Sequence, residues 1–399
     1  MDPITHGITG ALLGKGFFSK RAHRVAIFAA VLGAVFPDVD VFYDALSRDP
    51  LAIIKYHRNI THSFVCLPLF ALLLAVLTRW IARRRNFDSP GLGMLTLIYA
   101  VGIASHIILD AMTSFGTRIW APISEERVAW DLLFIIDFTF TAIVLLPQVD
   151  AWVYSRREKS HARAFSMWVL FSLAAIGVWK IAAAFQAGFH VYIVAIASLL
   201  MALLFFAPAM RDWGFGVARS TWCQAGTCIM CAYLFACAFA HHAAMLRVKD
   251  FADANNIPVV RIGALPIPPS FLTWGDAIRT PGGVYQVRID LRDSKPPSFR
   301  FAADSPVDAF TARALELPDV QLYWSFARFP LIRATKEEGL QVVDFGENRF
   351  VSRDRNRPQP FTYRVAFDSQ GHVVEEGWLT DGMLVKNVQK LLPEAESKR

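Results

Sequence analysis

The sequence predicts a membrane α-helical bundle followed by a smaller β-rich domain. Hydrophobic residues make up 54% of the chain, above the roughly 45–50% that is usual for soluble domains. Apolar stretches recur along residues 1–245 at lengths near the roughly 20 residues that cross the hydrocarbon of a bilayer. From residue 246 onward the composition changes to charged residues, prolines and alternating apolar and polar positions. These observations divide the chain into a transmembrane helical domain, residues 1–245, and a β-rich soluble domain, residues 246–399.

The helical part is predicted to contain about eight apolar segments, the first of them short. They are residues 4–18, 25–44, 62–80, 92–113, 131–152, 164–184, 189–209 and 222–245. Because the first segment is shorter than the hydrocarbon core, a tilted or partly re-entrant helix is an alternative to a full span.

Basic residues predict how the segments are oriented. They cluster in short loops between apolar runs, namely "KRAHR" (20–24), "RWIARRR" (79–85), "RREKSHAR" (156–163) and "RDWGFGVAR" (211–219). Positive loops face the cytoplasm, so both ends of the chain are expected outside it. The net charge of +7 therefore reflects loop positions and does not predict nucleic-acid binding. The N-terminus lacks the features of a cleaved signal peptide and is expected to persist.

The β-rich part is predicted from alternation and turn signals. Residues 284–291, 340–345 and 361–376 alternate as half-buried strands do, and Asp368 to Gly371 provide a hairpin turn within the last stretch. The aromatic residues Trp274, Trp324, Phe326 and Phe329 are expected in its core, with a lipid-facing surface as the alternative.

Ionisable residues recur at the predicted outer ends of the helices. Such groups are costly at membrane depth unless they are paired, bound to metal or in contact with water, so they are functional candidates. The candidate metal ligands are His6, Asp38, Asp40, His57, His62, His106, Asp110, Asp131 and Asp137.

The spacing of these residues indicates a metal site. His106 and Asp110 are four residues apart and share one helix face. Imidazole with carboxylate favours Zn, Mn, Fe or Ni over Ca or Mg, with Zn preferred and two or more ions plausible from the number of ligands. Alternatives stay open for single residues: His6 as a hydrogen-bonded core residue, and Asp38, Asp40 or Asp131 as helix caps. Asp38, His62 and Asp110 are the candidate catalytic residues.

The same stretches resemble a known family. "MDPITHGITGALLG", "GAVFPDVDVF", "YHRNITHS", "SHIILDAMTSFGTRIWAPIS" and "WDLLFIIDF" occur in the order found in the inner-membrane metal-dependent hydrolases, also called LexA-binding, inner-membrane-associated hydrolases. The match covers roughly residues 1–145. "ALPIPPSFLTW" and "FARFPLI" resemble more loosely the outer C-terminal domain of long members. The set of histidines and aspartates is also similar, more weakly, to zinc-dependent phospholipase C and P1 nuclease.

The resemblance implies a multi-pass protein of a bacterial-type inner membrane with hydrolase activity. The expected reaction is the attack of a metal-activated water on a phosphoester, or a related bond, of a lipid-like substrate at the outer leaflet. Thr113, Ser114 and Thr117 are expected to orient ligands or contact substrate, and Arg58 and Arg118 to bind a phosphate or lipid headgroup. The alternative, that these arginines are interfacial and face lipid headgroups, is at least as strongly favoured.

Two other functions stay open. In the first, the polar cluster only holds helices together, while the C-terminal domain binds a partner in the cell envelope. In the second, the intramembrane carboxylates serve a transporter. This is less favoured because the candidates lie towards one face and no inverted repeat is evident.

Overall fold

A computed structural model describes the chain apart from residues 48, 50, 185–189, 211, 268–270, 294–297, 351–360, 381–382 and 385–399. Its α-helices, in chain order, are α1 Pro3–Leu13, α2 Ser19–Val35, α3 Asp40–Leu46, α4 Ala52–Lys55, α5 Leu67–Arg85, α6 Leu92–Ala111, α7 Phe138–Val153, α8 Ser160–Ala184, α9 Tyr192–Met210, α10 Trp213–Gly216, α11 Arg219–Ala254, α12 Ala309–Leu315 and α13 Pro318–Phe326. Nine β-strands follow α11.

The predicted fold class is confirmed, because apolar helices precede a β-sheet region. Within the described residues, five helical stretches are long and apolar enough to span a membrane: Arg24–Tyr43, Leu92–Ala111, Arg157–Lys180, Tyr192–Met210 and Arg219–Ala254. A sixth arises if Ala52–His62 and Leu67–Arg85, bent by 72°, form one broken span. The remaining two predicted segments correspond to shorter apolar helices, α1 and α7. Which side of the membrane each end faces stays a prediction.

Two helix starts differ from the predicted ones. The segment predicted over residues 131–152 begins as a helix only at Phe138, because Asp137 is extended and its carboxylate accepts the backbone N–H of Phe140 at 2.9 Å. Asp137, which lies inside the predicted segment, is therefore the N-cap of α7. The segment predicted from residue 62 begins as a helix only at Leu67, and the hydroxyl of Thr61, before that segment, donates to Asp40 at 3.1 Å.

The residues form two compact units. The first contains residues 1–37, 62–110 and 136–235, and the second contains 38–61, 111–135 and 236–399. The second unit thus combines the C-terminal region with two segments that belong to the predicted helical domain. The predicted boundary between two domains at residue 245 stays a prediction. The last part of the predicted β-rich domain, residues 385–399, lies outside the described residues.

In the first unit, glycines let helices approach closely. A Cβ on Gly10 of α1 would lie 2.6 Å from the carbonyl oxygen of Ala30 in α2, and one on Gly102 of α6 would lie 2.7 Å from the same oxygen. Small residues at such contacts are typical of helix pairs in membranes, where close packing drives association. The side chains of α1 and α6 are consequently brought together beside α2.

In the second unit, the strands form two antiparallel sheets. One has the order β1 Arg261–Pro266, β2 Thr273–Thr280, β3 Gly283–Asp290 and β4 Arg300–Ala303. The other has the order β5 Pro330–Glu337, β6 Leu340–Glu347, β7 Thr362–Phe367, β8 Val373–Thr380 and β9 Met383–Leu384. The turn predicted between β7 and β8 is present, and the N–H of Gly371 donates to the carbonyl of Asp368 at 3.0 Å.

The core of the second unit is aromatic. Trp274 and Phe329 are fully buried and Phe326 is nearly so, as the sequence predicts, while Trp324 packs against the same core as Phe326. Leu51, Ile54 and Phe115, from the two inserted segments, are buried in that core as well.

Candidate metal centre

Four of the predicted ligands, all residues of the first unit, lie together. His6 lies on α1, His62 ends the short 3-10 helix Ile60–His62, and His106 and Asp110 lie one turn apart on α6. All four side chains are fully buried. Burying three imidazoles and a carboxylate is expensive unless they are paired or hold an ion, so this cluster is the strongest candidate site in the unit.

The ligand atoms of this cluster face one another. The Nε2 atoms of His62 and His106 are 3.0 Å apart, and they lie 3.3 and 3.4 Å from Oδ2 of Asp110. The other carboxylate oxygen, Oδ1, lies 3.2 Å from Nε2 of His6 and also contacts the amino group of Met1. Asp110 is therefore shared by all three imidazoles.

The backbone of α2 fixes the protonation of His106. Its Nδ1 lies 2.7 Å from the carbonyl oxygen of Ala34, which can only accept a hydrogen bond, so Nδ1 carries the proton. In the neutral ring Nε2 then presents its lone pair towards His62 and Asp110. This is the arrangement usual for metal-binding histidines, whose second nitrogen donates to a carbonyl or carboxylate.

His6 is held by stacking. Its ring lies 3.6 Å from that of His106 with an interplanar angle of 17°. Within the described residues, its buried Nδ1 has no hydrogen-bond partner. The predicted alternative for His6, a hydrogen-bonded core residue, describes its contact with Asp110 equally well.

The donor set fits a divalent cation. In a tetrahedral site with bonds of about 2.0–2.1 Å, neighbouring ligand atoms are roughly 3.3 Å apart, which is close to the three separations around His62, His106 and Asp110. Asp38, the remaining predicted ligand of this set, lies in the second unit, and its ligation of the same ion stays a prediction. Two imidazoles with carboxylates suit Zn, Mn, Fe or Ni.

The other predicted ligands make different contacts. In the second unit, Nδ1 of His57 lies 3.0 Å from Asp40, which also accepts the N–H of Arg58 at 2.9 Å. Asp131, in the same unit, accepts two hydrogen bonds from Arg328, at 2.8 and 2.7 Å.

Asp137 belongs to the first unit. Besides capping α7, it accepts a hydrogen bond from the hydroxyl of Tyr233 at 3.0 Å. Metal ligation by Asp40, His57, Asp131 and Asp137 stays a prediction.

The residues predicted to support the site lie in the second unit. Thr113 accepts a hydrogen bond from the guanidinium of Arg58 at 2.7 Å, and the backbone carbonyl of Ser114 accepts one from Arg349 at 2.9 Å. Thr117 pairs with Val128 through backbone hydrogen bonds in both directions. These contacts hold the loop 111–135 in shape.

Sequence reasoning did not single out three of the arginines in the second unit. Arg127 and Arg349 donate to the backbone carbonyls of Gly116 and Phe326, and Arg328 donates to the carboxylate of Asp131. Their partners lie up to about 230 residues away along the chain, so no local pattern marks them. The only local signal was the occurrence of Arg328 in "FARFPLI".

Comparisons with known proteins agree on the membrane half of the chain. Residues 1–187 match the family described as YdjM inner membrane protein. Inner membrane protein YbcI of Escherichia coli (strain K12) is 30% identical over 142 residues, which cover 35% of this chain and 78% of that protein. No solved structure matches.

Proposed function

Because the chain belongs to the YdjM inner membrane protein family, we propose that it is a membrane-embedded, metal-dependent hydrolase. Its substrate is a lipid-like molecule, and the bond cleaved is a phosphoester or a related bond. The observation that carries this proposal is the triangle of the Nε2 atoms of His62 and His106 and Oδ2 of Asp110, with sides of 3.0–3.4 Å.

The residues of the triangle suit a catalytic more than a structural ion. Structural zinc sites are usually closed by four protein ligands rich in cysteine, whereas catalytic sites combine three ligands such as histidine and carboxylate with an open position. Zinc is the preferred ion. When bound, a divalent cation activates water near neutral pH and stabilises the charge that develops on a phosphoester.

The chain's own residues prepare this site. The Ala34 carbonyl holds the proton of His106 on Nδ1, which keeps Nε2 available as a ligand. Full burial of the cluster keeps bulk water out and strengthens every electrostatic interaction inside it. Of the three catalytic residues predicted from the sequence, His62 and Asp110 carry this proposal through their contact at 3.3 Å, and a catalytic role for Asp38 stays a prediction.

The proposed substrate class rests on the depth of the metal centre in the membrane and on the orientation of the helices. A polar cluster at the end of apolar helices is reached most easily by an amphiphile whose polar bond lies at the membrane surface. The positive loops lead us to expect this end, and the C-terminal domain, at the outer side of the membrane.

The test is to measure bound metal and lipid hydrolysis in the purified full-length chain. His106→Ala and Asp110→Ala should each lose most of the stoichiometric metal and all turnover of a phospholipid panel. Loss of a residue that only orients a metal ligand typically reduces metal affinity by about 10–100-fold, so loss of a ligand itself should reduce it at least as much. His161→Ala changes an exposed histidine at the start of α8, so it serves as the matched control and should keep both.

Two outcomes would count against the proposal in different ways. Stoichiometric metal in both His106→Ala and Asp110→Ala would remove the site itself. Metal that is lost from the variants, without hydrolysis of any lipid by the wild type, would favour the alternative in which the ion only holds the helices together.

A further inference from the structure

A group of arginines in the second unit surrounds the segment 52–58. The guanidinium of Arg118 donates to the carbonyl of Lys55 at 3.0 Å, and the N–H of Arg118 donates to the carbonyl of Arg58 at 3.0 Å. Arg127 donates to the carbonyls of Ile54 and, at 3.2 Å, of Gly116. The loop 111–135 therefore brings two guanidinium groups to the same short stretch of backbone.

Two phenyl rings contact three of the arginines through cation–π interactions. The guanidinium carbons of Arg58 and Arg127 lie 5.1 and 5.6 Å from the ring centre of Phe115. Those of Arg127 and Arg349 lie 5.6 and 4.4 Å from the ring centre of Phe326. The two rings are themselves 5.1 Å apart. Cation–π contacts offset part of the cost of placing cations here but do not neutralise them.

Carboxylates compensate this charge incompletely. Arg349 has Glu347 at 3.4 Å, and Arg118 has Glu125 at 3.0 Å, but the Glu125 side chain is 72% exposed. Within the described part of the chain, Arg127 has no carboxylate at ion-pair distance. The Nε–H of Arg118 is buried without a hydrogen-bond acceptor among the same residues. A buried donor without an acceptor indicates a missing partner.

The electrostatics agree with this geometry. Burial, followed by the neighbouring charges of Arg118, Arg349 and Arg58, lowers the pKa of the Arg127 guanidinium to about 9. A cation in such surroundings is stabilised by any anion that enters.

We propose that Arg118 and Arg127, supported by Arg58, form a binding site for a phosphate group. Guanidinium forks match the oxygens of a phosphate in a bidentate manner, and several cations favour an anion that carries more than one charge over a carboxylate. The phosphate is carried by a phospholipid headgroup or is free in solution. This site does not depend on the metal centre, so it extends the function proposed above without requiring it.

The experiment titrates the purified full-length chain, in neutral detergent, with inorganic phosphate and separately with short-chain phosphatidylglycerol. Acetate and diacylglycerol of the same chain length are the ligand controls. We expect the double variant R118Q/R127Q to bind phosphate at least about tenfold more weakly, because hydrogen bonds to charged groups are lost. Arg292→Gln, an exposed arginine in the same unit, should bind as the wild type does.

The two ligands distinguish a phospholipid headgroup from free phosphate as the source of the bound group. Binding of both ligands, or of inorganic phosphate alone, supports the site and identifies soluble phosphate as sufficient. Binding of the phospholipid alone supports the site and assigns it to headgroups. Binding of neither by the wild type, or equal affinity in R118Q/R127Q, overturns the proposal.

A second variant, expected to bind phosphate more tightly, keeps the proposal testable if the double variant misfolds. Glu125→Gln removes the exposed carboxylate beside Arg118 and should strengthen phosphate binding by about two- to fivefold. Unchanged or weaker binding in Glu125→Gln would contradict the proposal. His106→Ala should retain phosphate binding, so the two proposals can fail separately.

Discussion

At the scale of single residues, a few contacts set the chemical state of each candidate group. The carbonyl of Ala34 selects the tautomer of His106, and Asp110 divides its two oxygens between His6 on one side and His62 with His106 on the other. Asp131 is also an aspartate, but both of its carboxylate oxygens accept hydrogen bonds from Arg328 and not from histidines.

The pair of Asp131 and Arg328 leads to a prediction about stability. Their side chains are 5% and 19% exposed, and removal of one member of a buried ion pair leaves the other charge uncompensated. We expect Asp131→Ala to lower the free energy of unfolding by about 3 kcal/mol. Chemical denaturation of the purified chain in detergent measures this change.

A compensating variant and the metal content complete that test. Asp131→Leu combined with Arg328→Met should recover most of the stability, because no unpaired charge remains. Metal content in Asp131→Ala should equal that of the wild type if Arg328 is the main partner. A loss of metal as large as that of His106→Ala would show instead that Asp131 is a ligand.

At the scale of elements, the metal centre depends on how closely α1, α2 and α6 pack. Gly102 and His106 lie one turn apart on α6, and both contact the backbone of α2 between Ala30 and Ala34. The close approach at Gly102 is thus what allows His106 to reach its carbonyl partner.

Two glycines of the same helix test this dependence. Gly102→Ala places a Cβ 2.7 Å from the Ala30 carbonyl oxygen and 2.9 Å from the Ala34 nitrogen, so α6 must move away. We expect a loss of about 1–3 kcal/mol in stability from overpacking and a fall in bound metal. Thermal unfolding and metal analysis measure both quantities.

Gly93→Ala is the matched control, since a Cβ at Gly93 meets nothing within 4 Å. Alanine there should leave metal content unchanged and stabilise the helix by up to about 1 kcal/mol. Equal effects of the two substitutions would mean that the packing of α6 on α2 does not position the site.

At the scale of the whole molecule, the second unit is assembled from three separate parts of the chain. Its core contains Leu51, Ile54 and Phe115 beside Tyr323 and Phe345. The loops between apolar helices therefore fold with the C-terminal region and not as isolated connections.

Deletion of residues 250–399 tests this assembly. The truncated chain would expose Leu51, Ile54 and Phe115, which are at most 7% exposed in the full chain. We expect it to aggregate or to unfold at lower temperature, as size-exclusion chromatography and thermal scans in detergent can measure. Replacement of these three residues by serine should reduce the aggregation. A truncated chain as monodisperse and stable as the full one would show that the two inserted segments fold independently.

Sequence patterns were most informative where a signal is local. Apolar length predicted the helices, alternation predicted β3, β6 and β7, and the spacing of His106 and Asp110 predicted their shared face. The starts of α5 and α7 were misplaced, because the apolar composition begins before the helices do. The N–H of Val65 donates to the hydroxyl of Ser63 ahead of α5, and the N–H of Phe140 donates to the carboxylate of Asp137 at the start of α7.

The sequence by itself determined the fold class, the family resemblance and the types of ligand available, because hydrophobic length and residue chemistry are properties of short stretches. Only the tertiary structure decided which ligands converge. His62, His106 and Asp110 lie within 3.4 Å of one another, whereas Asp131 binds Arg328, about 200 residues further along the chain. The physical reason is that such contacts depend on close packing between distant segments, and distances of a few ångströms have no counterpart in a linear pattern.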